Sequence, residues 1–183
     1  MKIVDSFVEK TKDNPDEPWY LPMRLQRLQL CAALGKGRSE REVCEKNFTA
    51  SPNAITLQIY FEMLLILQDY ESILSIQESD VYSQKILFPH SKDNLTLWKQ
   101  LIRAAVGAGN LDFVDRYMEA AVEQGTRQDR FDILGTVIYL YKEKNQEDKL
   151  KEAKRELFSI LPEFSYDDYS MGRIKKELLS MKP

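Results

Sequence analysis

Histidine is almost missing from this chain: its 183 residues include one, His90. It stands beside Pro89 in a segment that reads as a loop, with no second histidine or cysteine near it. A solvated side chain is expected there rather than a metal ligand or a catalytic base. Two cysteines, Cys31 and Cys44, are too few for a disulfide framework. Both fall in helical patterns, where they are expected as small buried apolar residues. Seven glycines and seven prolines are few for an all-β protein, which needs many tight turns. There is no glycine loop to cradle a phosphate and no nucleophile elbow. With no convergent polar group to nominate, neither an enzyme nor a cofactor is expected.

Positive charge is also short. Lysine and arginine total 26 against 29 acids, a net charge of −3, whereas nucleic-acid binders usually gain affinity from a basic excess. No long apolar run exists: the richest stretch, residues 55–67, is interrupted by Gln58 and Glu62 and is too short to span a bilayer. The N-terminus carries Asp5 and Glu9 early and has no long apolar core, unlike a secretory signal or transit peptide. A cytoplasmic or nuclear protein without membrane attachment is expected. Two sequons, at Asn47 and Asn94, then read as chance matches.

What the chain does have is helical rhythm. Three segments, residues 53–68, 95–107 and 130–143, are apolar around most of their circumference, as helices packed on several sides must be. Each is followed by a short break and an amphipathic segment: 70–78, 111–124 and 147–161. An earlier pair is expected over 21–34 and 38–48, turning at Gly35-Lys36-Gly37. Expected punctuation includes a cap at Ser51 before Pro52, caps at Asn110 and Asn145, a capping box from Ser39 to Glu42, and a stop at Gly125. Leu57, Trp98 and Leu134 hold equivalent places, 41 and then 36 residues apart, and a helix–turn–helix unit recurring at this length is a solenoid signature.

The unit Trp98, Leu101, Ala105, Gly109-Asn110, Val114, Met118, Ala121 resembles a tetratricopeptide repeat. So do Leu134, Val137, Tyr141, Asn145, Leu150, Leu157, Pro162, and Leu57, Tyr60, Leu64, Gln68-Asp69, Ile73. The resemblance covers about residues 21–162. Ile73, Val114 and Leu150 replace the alanine frequent in that family's second helix. It implies an all-α, right-handed solenoid of about four repeats, with a partly ordered segment over 1–20, an insertion near 79–93, and a capping helix in 163–183. A near competitor is the pentatricopeptide family, which binds single-stranded RNA; Gly125-Thr126-Arg127-Gln128-Asp129 before Phe131 resembles its junction.

On the solenoid reading, polar stripes on the inner helices line a concave face. The candidates for binding a peptide or helix of another protein are Gln58, Glu62, Lys99, Arg103, Tyr139 and Lys142. Lys99 and Arg103, one turn apart, suit a carboxylate, although Glu62 opposite would repel one. The remaining aromatics, Tyr60, Phe61, Trp98, Tyr117, Phe131 and Tyr141, are expected mostly in the core.

Overall fold

A computed structural model describes residues 2–11, 20–79 and 95–160. Every element among them is helical: α1 (Lys2–Thr11), α2 (Tyr20–Ala33), α3 (Gly37–Ala50), α4 (Ala54–Ile66), α5 (Tyr70–Gln77), α6 (Leu95–Ala108), α7 (Leu111–Gln124), α8 (Arg127–Glu143) and α9 (Glu147–Ile160). None of these helices is long and apolar enough to cross a membrane. Most of the expected insertion, including residues 86–89 and His90, lies outside the described residues. So does the expected capping helix in 163–183.

The chain divides into two units, Met1–Tyr117 and Met118–Pro183. In the first, α4 is the central element: α2, α3, α5 and α6 all pack on it. Leu57, Phe61, Met63 and Leu64 of α4 are wholly enclosed, which explains why its apolar residues run all the way round. In the second unit α8 and α9 pack together, and Phe131, Leu134, Val137 and Tyr141 of α8 are buried. Tyr141 Oη also donates to Met118 Sδ at 3.4 Å.

One turn recurs four times among the described residues. Gly35, Gln68, Gly109 and Asn145 follow α2, α4, α6 and α8, and each has a positive φ, between 54° and 72°. In every case the next N–H reaches back five residues: Lys36 to the Cys31 carbonyl at 2.8 Å, and Asp69 to Leu64, Asn110 to Ala105 and Gln146 to Tyr141 at 2.9 Å. A second bond links the positive-φ residue to the carbonyl three before it. This is the Schellman closure, which satisfies the last carbonyls of a helix.

Several caps differ from the sequence expectation. Asn145 does not cap α9; it adopts the left-handed conformation that closes α8, which asparagine tolerates better than most residues. α3 begins at Gly37 with Lys36 as N-cap, so Ser39 lies inside the first turn and donates to the Lys36 carbonyl at 2.9 Å instead of forming a box. Asn53 rather than Ser51 caps α4, exchanging bonds with Thr56. α8 starts three residues earlier than expected, at Arg127, because Thr126 and Asp129 form a capping box. Asn110 caps α7 as expected, accepting from Phe113 N at 3.1 Å.

The N-terminal segment contains a helix, α1, which packs on α2. Its Asp5 accepts from Arg27 Nε at 3.0 Å.

Candidate functional site

The four turns give the helices that precede them a common register. Counting back from Cys31, Leu64, Ala105 and Tyr141, whose carbonyls accept the long turn bond, aligns Gln29, Glu62, Arg103 and Tyr139 two residues earlier. Among these, Gln29, Arg103 and Tyr139 are exposed and Glu62 is half-buried. Tyr139 keeps 49% of its surface in water although it is a large aromatic in an otherwise well-packed helix.

In the first unit this register brings Glu62 of α4 and Arg103 of α6 together. The guanidinium donates to Glu62 Oε2 at 3.3 Å, and Gln100 Nε2 donates to the same oxygen at 3.2 Å. Gln100 also donates to the backbone carbonyl of Gln58 at 3.0 Å, so one side chain staples two turns of α4. Its Oε1 is buried without a hydrogen-bond partner. Glu62 is thus balanced by Arg103 rather than left to repel an acid, and the ion pair, half open to water on the arginine side, contributes little to stability, about 0–1 kcal/mol.

Gln58 is buried, 8% exposed, although its residue type placed it on the wet stripe. It sits where α6 closes over α4, and the Gln100 bond identifies that contact. Lys99 is half-buried. In the second unit Tyr139 and Lys142 are both exposed on α8, but Lys142 lies outside the register of the others. Of the remaining aromatics, Tyr60, Phe61, Trp98, Phe131 and Tyr141 are buried, as expected, and Tyr117 is half-buried.

A second polar group escaped the sequence reading. Arg24, Arg27 and Glu40 fall on faces of α2 and α3 that pack inward, and Glu40 is only 5% exposed. Arg27 joins Asp5 and Glu40 in one ionic chain. Burial works against the Arg27 charge, but the bond it donates to Asp5 and the field of Glu40 outweigh it and raise its pKa. Both cysteines line this region. Burial pushes the Cys44 thiol up to about 11, with Glu40 adding to the shift, and raises Cys31 as well. The only advance signal was position: Arg24 and Arg27 stand seven and four residues before Cys31, where later helices carry Leu57 and Tyr60, Trp98 and Leu101, Leu134 and Val137.

Among the described residues no three His, Cys, Asp or Glu side chains converge as a metal site. Comparison with protein-family models, curated proteins and solved structures returned no match.

Proposed function

We propose that the chain is a non-catalytic scaffold or adaptor, a right-handed α-solenoid of about four tetratricopeptide-like repeats that binds a peptide or helix of another protein. The observation that carries this reading is the repeated register. Four turns of one geometry each precede a new helix, and two residues before each turn acceptor stands a side chain that reaches water, flanked by buried residues at Glu62, Arg103 and Tyr139 and by buried Leu28 and half-buried Leu30 at Gln29. A surface built by repeating one unit suits an extended ligand. In the first unit the varied chemistry at Gln29, Glu62 and Arg103 suits a partner of mixed character; in the second, Tyr139 offers an aromatic anchor of its own.

The test is an affinity pull-down with the full chain, comparing wild type with Arg103→Glu and Tyr139→Ala. Recovery of a specific protein that falls at least tenfold in both variants supports the reading; equal recovery from all three removes it. A filter-binding titration with single-stranded RNA separates the alternative. Affinity that drops steeply with salt would move the protein to the RNA-binding class.

A further inference from the structure

Arg24 occupies a place that the later helices give to large apolar residues. Leu57, Trp98 and Leu134, at the same register, are all enclosed. Arg24 is enclosed too, at 8% exposure, and its Nε is buried without a hydrogen-bond partner. A guanidinium cannot shed its proton to escape burial, and charges held inside proteins are normally paired. The neighbouring Arg27 follows that rule through Asp5 and Glu40.

Arg24 borders a cavity of about 440 Å³ between α1, α2, α3 and the start of α4, a volume typical of small-ligand sites. Other lining residues supply hydrogen-bond donors: the hydroxyls of Tyr20 and Ser51 and the amide of Asn47. Glu9 of α1 is the carboxylate among the described lining residues, and it stands at the rim as an exposed side chain.

We propose that this cavity is an oxyanion site, taking a carboxylate or phosphate group against the guanidinium of Arg24. Arginine's planar fork matches both groups. Glu9 opposes the incoming charge, so it sets the affinity of the site rather than its existence. The site is separate from the scaffold stripe and does not depend on it.

The test is an amide-resolved NMR titration of the full chain with sodium phosphate and, separately, sodium acetate, against sodium chloride at matched ionic strength. Saturable shifts centred on Tyr20, Arg24, Asn47 and Ser51 are expected with at least one oxyanion. Earlier saturation by phosphate identifies a phosphoester ligand, and earlier saturation by acetate a carboxylate. Arg24→Met should abolish saturation. Should that variant fail to fold, two changes at exposed side chains carry the test: Asn47→Asp should weaken binding at least tenfold, and Glu9→Gln should tighten it several-fold. Shifts that merely follow ionic strength, or affinity unchanged in both exposed variants, would overturn the site.

Discussion

Tyr70 lays its ring directly over Gly107: a Cβ built on that glycine would meet three ring carbons at 2.4–2.7 Å. Helices α5 and α6 approach each other there, and the glycine is what lets the ring in. Gly107→Ala should therefore destabilise the protein by about 1–3 kcal/mol through overpacking, even though alanine favours a helix. Gly135, inside α8, has nothing within 4 Å of the equivalent atom. Gly135→Ala should stabilise by about 1 kcal/mol. Urea midpoints for the two variants should move in opposite directions.

The four turns make a second prediction. Gln68 holds φ at 58°, a conformation that costs a side chain about 1–2 kcal/mol. Gln68→Gly should recover roughly 1 kcal/mol in thermal or urea unfolding. Gly35→Ala should lose a similar amount, and for backbone reasons alone, since the added methyl would meet nothing within 4 Å.

Helix starts can be tested in the same way. Thr126→Ala removes the side chain that accepts from Asp129 N and should cost about 1 kcal/mol. Ser39→Ala should change stability by less than about 0.5 kcal/mol, because Ser39 caps nothing. The reverse ranking would place the start of α3 at Ser39 after all.

Alkaline stability should report on Cys44. Its thiol titrates at about 11 in the folded chain against 9.0 for an ordinary cysteine. Between those values the unfolded chain has released the proton while the folded chain retains it, so stability falls as pH rises through this window. Below pH 9 the contribution is fully present. Cys44→Ala should flatten the decline without abolishing it, since Cys31 is raised as well. Unfolding curves at pH 8, 9 and 10 would measure the slope.

Much of this fold was legible because apolar period and turn chemistry agree. The limits of α7 matched the reading residue for residue, and those of α4, α6 and α9 came within two, since a helix packed on several sides or on one side writes a different pattern. Glycine at 35 and 109 announced two of the four turns. Gln68 and Asn145 were harder: neither needs to be left-handed, and Asn145 is an equally good N-cap by type. Exposure to water was legible at Arg103, Tyr139 and Lys142, but Gln58 was lost, because residue type cannot tell which polar group a neighbouring helix will cover. Arg24 and Glu40 were hidden for the converse reason. A charge on a helix reads as wet, and only packing showed that these are not.

The repeated turn closure also bears on how the chain comes together. Each helix end is sealed by bonds spanning five residues or fewer, so closing it sacrifices little chain entropy. The turn itself can then form at any of the four places without waiting for a distant segment to arrive. Length can vary between such starting points far more cheaply than inside one, which fits the uneven distances of 33, 41 and 36 residues separating the four left-handed positions.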